Sequence, residues 1–289
     1  MSEQGCKADM GDGAAVVDTC GYPVETTGNA VLDILEHRSS TRAFARDDND
    51  RPVAVTDEQR AAILHAASRA PSAGAMMMYS IVSICEQARL DRLADLCDHQ
   101  PMIAKAPWAL IFVVDYAKWI DLFEHVGCFE PEFVERTGKS PRRAPGLGDF
   151  AIAAQDAVIA AQNAVVAAEA LGLGSCYIGD VIENAEEVAA LLDLPPYTMP
   201  LSMLIIGTPR KERPAIAHPV VNLVHEERYR RADTTTMDAQ VAEMDAMFRP
   251  HAREVGERVV DIYTRKHTSP FMAEMSRSME WWFKNWLGK

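Results

Sequence analysis

Two guanidiniums and three hydroxyls fall within five consecutive positions, Arg38-Ser39-Ser40-Thr41-Arg42, and Ala43 and Phe44 follow them. These residue types suit a phosphate, because Arg presents a planar fork of fixed charge and Ser and Thr add donors. A solvated loop is the ordinary alternative for such a cluster. A second candidate is Ala70-Pro71-Ser72-Ala73-Gly74, whose small side chains would let backbone approach a flat ligand or would simply turn the chain. A third is the run Leu171-Gly172-Leu173-Gly174-Ser175-Cys176-Tyr177-Ile178-Gly179-Asp180. There Gly172 can supply a left-handed helix cap, and Gly179 allows backbone to lie close to a ring. No glycine-rich dinucleotide loop follows a strand-like run, so a Rossmann site is not supported. The cysteines (Cys6, Cys20, Cys85, Cys97, Cys128 and Cys176) form no Cys-x-x-Cys pair. They read as reduced, inert thiols of a cytoplasmic protein, with no metal centre.

The elements that must position these groups can be read from periodicity. Residues 1–26 are polar and glycine-rich, a flexible lead-in with no signal-peptide pattern. Helices are expected over 30–37, from a Thr56 or Asp57 cap to residue 70, over 88–98, and from Asn184 to Leu192, where Glu187 would complete a capping box. Strands are expected over 80–85, 109–114 and 199–206, each a short apolar or β-branched run bounded by breakers. Residues 115–148, charged and proline-rich, read as a mobile excursion or lid. A polar helix over about 237–263 leads to a tail carrying Trp281, Trp282 and Trp286, rings expected to pack on the body or on a partner subunit. Strand runs separated by helices make a mixed α/β or α+β layer.

The formal net charge of -13 argues against general affinity for nucleic acid or for an anionic membrane surface. The most membrane-like segment, 150–171, is interrupted by Gln155, Asp156, Gln162, Asn163 and Glu169. Their sevenfold spacing predicts one polar stripe on an otherwise small and apolar helix, fit for a soluble core or a subunit interface and not for a membrane span.

Taken together, the ordered motifs resemble the nitroreductase superfamily, most closely its larger, oxygen-insensitive, NADPH-preferring members. The matching residues are Arg38 to Phe44, Ala70-Pro71-Ser72, Ala161-Gln162-Asn163-Ala164, the run ending in Gly179-Asp180, Ile206-Gly207-Thr208-Pro209, Lys211-Glu212-Arg213-Pro214, and Val224-His225-Glu226 before Tyr229. The resemblance implies an α+β fold with a mixed, mainly antiparallel sheet flanked by helices. It implies an FMN-binding domain over 27–231 and a helical C-terminal extension over 232–289. It also implies a homodimer with FMN at the subunit interface. By the same resemblance Arg38, Ser39, Ser40 and Arg42 hold phosphate and ribityl oxygens, and Lys211 and Arg213 add charge. Pro71, Ser72 and Ala73 line the flavin, Gln100 bonds its ring, and Tyr177, Ile178 and Gly179 lie on its other side.

The implied activity is hydride transfer from NAD(P)H to a nitroaromatic, quinone or similar flat acceptor by a ping-pong mechanism. The flavin is then the catalytic group, and no protein acid or base is assigned. Two departures leave other chemistry open: reductive dehalogenation, enone reduction, flavin fragmentation, or a flavin carrier with little turnover. Ala75-Met76-Met77-Met78-Tyr79 stands where many members have Asn, then Gln-Pro-Trp, and Asp180 stands where the closest relatives have Gly. In the tail, Arg265 and Lys266 are either a solvated charge pair or contacts for a nicotinamide cofactor's 2′-phosphate.

Overall fold

The computed structural model describes residues 16–17, 23–24, 28–139, 142–211, 221–249, 251 and 254–288. The chain divides into two compact units, Met1–Arg38 with Pro214–Val260, and Ser39–Arg213 with Asp261–Lys289. In chain order the strands are β1 (Val16–Val17), β2 (Pro23–Val24), β3 (Tyr79–Ile84), β4 (Trp108–Asp115), β5 (Gly174–Ile178) and β6 (Thr198–Gly207). The helices are α1 (Ala30–His37), α2 (Asp57–Ser68), α3 (Gln87–Leu96), α4 (Pro101–Ala104), α5 (Ala117–His125), α6 (Pro131–Thr137), α7 (Leu147–Ala170), α8 (Ala185–Leu191), α9 (Thr234–Phe248), α10 (Glu257–Ile262) and α11 (Pro270–Trp286).

In the first unit β1 pairs with β2 antiparallel. The Asn29 side chain caps α1 by accepting from the N–H groups of Val31 and Leu32 at 3.0 and 3.3 Å. Asp245 of α9 accepts from the backbone N–H groups of Gly256 and Arg258. The polar helix expected over 237–263 is two helices, the first ending at Phe248, two positions before Pro250.

The second unit is built on an antiparallel sheet of order β3-β4-β6-β5. The inner strand β4 is apolar from Trp108 to Val114 because both of its faces are covered there. Alternation still sorts its side chains. Trp108, Leu110 and Phe112 join the core beneath α2 and α7, whereas Ala109, Ile111 and Val113 join the core shared with α3, α8 and Trp282. Helix α7 approaches the sheet closely through alanines, among them Ala157, Ala160, Ala161, Ala164 and Ala168, all with no exposed surface. It is the one described helix long and apolar enough to cross a membrane, and its alanine face is committed to this core.

Several local expectations give way to tertiary structure. The polar residues of α7 form two stripes: Gln155 and Gln162 lie on its outer side, while Asp156 and Asn163, a turn-fraction away, point inward to partners on other segments. Residues 117–137 hold α5 and α6, and Trp119, Phe123 and Phe129 form a chain of ring contacts there. Asn184 stands at the N-cap of α8, but its side chain makes no capping hydrogen bond. It adopts φ 47° and donates its side-chain amide to the Leu96 carbonyl at 2.8 Å. Strand β5, not anticipated in the glycine-rich run, is the sheet's second edge.

Helix α11 returns to the sheet, where Trp282 and Trp286 are fully buried. Their ring N–H groups donate to the carbonyls of Ile182 at 2.9 Å and Gly146 at 3.1 Å. Phe150 meets Trp286 edge-on at 5.2 Å. Trp286→Ala removes a large buried ring and is expected to cost about 3–5 kcal/mol in urea unfolding. A loss below ~1 kcal/mol would mean that α11 does not anchor this core.

Candidate active site

The Arg/Ser cluster begins where α1 ends: Arg38 closes that helix, its N–H donating to the Ile34 carbonyl at 3.0 Å. Beyond it Ser39 and Thr41 are buried, and Ser40 and Arg42 face water. Thr41 N–H donates to the Ser175 carbonyl of β5 at 2.8 Å, and its hydroxyl is enclosed without a hydrogen-bond partner among the described residues. The chain then pairs with the residues that follow β6. Ala45 N–H donates to Thr208 O at 2.8 Å, Arg210 N–H to Ala43 O at 3.0 Å, and Phe44 lies opposite Pro209. Arg42 and Lys211, both exposed, are the residues next beyond this pairing on the two segments.

Gly207 makes the pairing possible. A Cβ there would stand 2.7 Å from the Pro107 ring and 2.8 Å from Phe44 Cδ1. Two cationic side chains and an orphaned hydroxyl fit an anionic group such as a phosphate. Arg210 joins the same edge and was not singled out from sequence. Arg213, with Glu212 and Pro214, lies outside the described residues.

The second candidate is a strained turn with a buried anchor. Its residues 71, 73, 74, 75 and 77 are exposed. Gly74, Ala75 and Met77 have φ of 58°, 55° and 48°, values that cost about 1–2 kcal/mol for a residue carrying a side chain. Asp156 of α7, 2% exposed, holds the turn from below. It accepts from Ser72 Oγ at 2.9 Å, Ala73 N at 3.0 Å and Met78 N at 3.3 Å. The Ser72 hydroxyl in turn accepts from Met77 N at 2.6 Å. From the side, Trp119 Nε1 donates to the Met76 carbonyl at 2.9 Å. Lys118 donates to the Tyr79 carbonyl, and burial pulls its pKa below the usual lysine value against the opposing pull of Asp115 and Asp156. Ser72 is thus a clamp, Met76 and Met78 turn inward, and only Met77 of the three methionines is well exposed. Asp156 was read in the sequence only as an interruption. An acidic residue in an alanine-rich helix is itself a signal, since a buried carboxylate requires donors.

At the third candidate Tyr177 is exposed, its hydroxyl 3.4 Å from Gln162 Oε1. Ile178 is buried in the core, so only its backbone can face outward, and Gly179 is exposed at the strand's end. Gln100, preceding α4, donates its side-chain amide to Asp180 Oδ2 at 2.7 Å. The structure therefore brings Gln100 to the end of β5. It does not bring the 71–77 turn there: that turn leads into β3, and β4 and β6 separate β3 from β5. Arg265 is engaged in two hydrogen bonds by Asp261, and Lys266 lies over the Phe271 ring at 5.1 Å. Among the described residues no cluster has the makings of a metal site.

Two substitutions test this geometry. Asp156→Ala strands two backbone donors and the Ser72 hydroxyl, with an expected loss of about 2–4 kcal/mol and faster amide hydrogen exchange at Ala73 and Met78. Slow exchange at both amides in that variant would rule out the anchor. Gly207→Ala is expected to cost about 1–3 kcal/mol by overpacking against a rigid proline ring, measured by thermal unfolding.

Comparison with known proteins identifies the family. The sequence profile of the Nitroreductase family matches residues 35–208. The FMN reductase (NAD(P)H) of Bacillus subtilis is 33% identical over 215 residues, covering 73% of this chain and 79% of that protein. The oxygen-insensitive NADPH nitroreductase of Salmonella typhimurium is 31% identical over 218 residues, covering 73% and 81%. Among solved structures, NADPH:FMN oxidoreductase from Vibrio harveyi, complexed with NAD+, superimposes with a TM-score of 0.66 at 25% identity. That match covers 86% of this chain and 97% of the other. The chain belongs to the nitroreductase family.

Proposed function

We propose that this family member, an FMN-dependent oxidoreductase drawing on NAD(P)H, reduces a nitroaromatic, quinone or similar flat acceptor that takes the place vacated by the nicotinamide. Bound FMN supplies the hydride chemistry, first as acceptor and then as donor. The observation that carries the reading is the pairing of residues 43–45 with 208–210, which leaves exposed Arg42 and Lys211 next beyond it on the two segments. Both cations serve the FMN phosphate, with Ser39 and Ser40 beside them. Gly179 and the backbone of Ile178 lie along one part of the ring, with Tyr177 and Gln100 adjacent.

Sheet order supports a homodimer. The turn carrying Pro71, Ser72 and Ala73 enters one edge strand and Tyr177–Gly179 leave the other, three strand spacings or ~14 Å apart. A single ring lined by both draws one set from each of two copies. Ile152, Val158 and Ile159, exposed on the outer side of α7, give such a pair an apolar surface.

Met77 favours apolar, planar acceptors. The exposed turn carries no charged side chain, and a thioether adapts to ligands of different outline. Met77→Ala is expected to raise KM for a quinone roughly fivefold, about 1 kcal/mol of lost apolar contact, and to leave flavin reduction by NADPH unchanged. Equal KM values would remove Met77 from the acceptor site.

Purified protein should bind FMN. Arg42→Ala should weaken that binding by about 1.5–3 kcal/mol in a fluorescence titration, the worth of one charge-assisted contact. Unchanged affinity would show that the phosphate lies elsewhere. Stopped-flow mixing with NADPH and NADH tests the reaction itself, and failure of both to bleach the flavin would end the reductase reading. Nitrofurans, quinones and halogenated phenols then separate reduction of flat acceptors from dehalogenation.

A further inference from the structure

Behind the end of β5 lies a carboxyl that no step above uses. Glu183 follows the one-turn helix Asp180–Ile182 and is 4% exposed. Its side chain has no hydrogen-bond donor or ion pair among the described residues. Its neighbours come from four places. Asp180 lies on its own turn, Asp98 and the Cys97 thiol lie at the end of α3, Glu274 lies on α11, and Lys266, the one cation acting on it among the described residues, lies on the turn before α11. Glu274 is held down to about 2, first by the hydrogen bond from Arg277, which also binds Glu186, so it stays charged. Burial first, and then Asp180 and Glu183, push the Cys97 thiol far up, so it stays neutral.

We propose that Glu183, acting through Asp180 and the Gln100 amide, tunes how readily the bound flavin accepts electrons. Glu183 touches neither cofactor nor acceptor in this account and is a positioning residue. The proposal rests on the reading that Gln100 and Gly179 border the ring. Asp180 is the link: it holds Gln100 Nε2 at 2.7 Å, and its main-chain carbonyl accepts from Glu183 N–H at 3.0 Å.

Burial, and then the negative charges of Asp180, Asp98 and Glu274, push Glu183 up to about 7. Below that pH it is neutral. Above it, a second negative charge stands behind Asp180, where added electron density on a neighbouring ring is disfavoured. The same ionisation acts on stability. The folded-state pKa lies above the ordinary carboxylate value, so the native state holds the proton longer than the unfolded chain does. Stability therefore falls as pH rises from about 4.5 through about 7.

The test uses FMN-loaded protein, with the flavin's midpoint potential measured by equilibration with a redox dye between pH 5.5 and 8.5. Relative to wild type, Glu183→Gln is expected to match at pH 5.5 and to show a higher potential at pH 8.5. Its Tm should also fall less between pH 5 and pH 8. Should Glu183→Gln fail to fold, Asp180→Asn in the same titration is expected to reduce the pH-linked shift. Parallel potential profiles in wild type and a folded variant overturn the proposal alone. Protein that takes up no FMN overturns it together with the reading it rests on.

Discussion

The site depends on one missing side chain. Gly207 ends β6 where the Pro107 ring and Phe44 crowd the place a side chain would take, and a single added carbon would stand within 2.8 Å of each. That contact lets residues 43–45 run antiparallel to 208–210, and the pairing brings together two segments that lie at opposite ends of the matched region. The same glycine lies opposite Gly174, the first residue of β5, so the strand leading to Tyr177–Gly179 takes its register from the same place. The edge proposed for the phosphate and the edge proposed for the ring are thus parts of one construction.

A second constraint works on the opposite edge of the sheet. A buried carboxylate is costly unless its oxygens are fully used. Asp156 meets that demand with three donors from a turn that would otherwise relax out of its left-handed conformations. The strain at Ala75 and Met77 persists because Asp156 beneath and Trp119 alongside over-determine the backbone. Such a turn is pre-organised: little order has to be imposed when a planar ligand arrives. The excursion after β4, through α5, is in this view a brace for the turn.

What could be read from sequence follows from which forces are local. Strands β3, β4 and β6 showed as apolar runs because each is bounded by breakers and lies in a covered sheet. Strand β5 did not, since Gly174, Ser175 and Cys176 carry little strand propensity and are fixed by pairing with β6. Asp156 and Asn163 looked like part of one polar stripe because seven residues nearly complete two turns. That spacing relates each to its own repeat and says nothing of the roughly 100° between neighbouring positions. Asn184 has the composition of a cap but yields to a tertiary bond with Leu96. The Arg/Ser motif was legible as candidate phosphate chemistry, whereas its neighbour's pairing with residues 208–210 required the fold. Arg210, Asp156 and Trp119 act through partners far away in sequence.

The central claim is that the cations gathered by the Gly207 contact hold the phosphate of FMN. Dissociation constants for FMN and riboflavin, measured on the same flavin-free protein, isolate that phosphate directly. With two charge-assisted contacts of about 1.5–3 kcal/mol each, riboflavin should bind at least ~100-fold more weakly than FMN. Equal affinities would contradict the account.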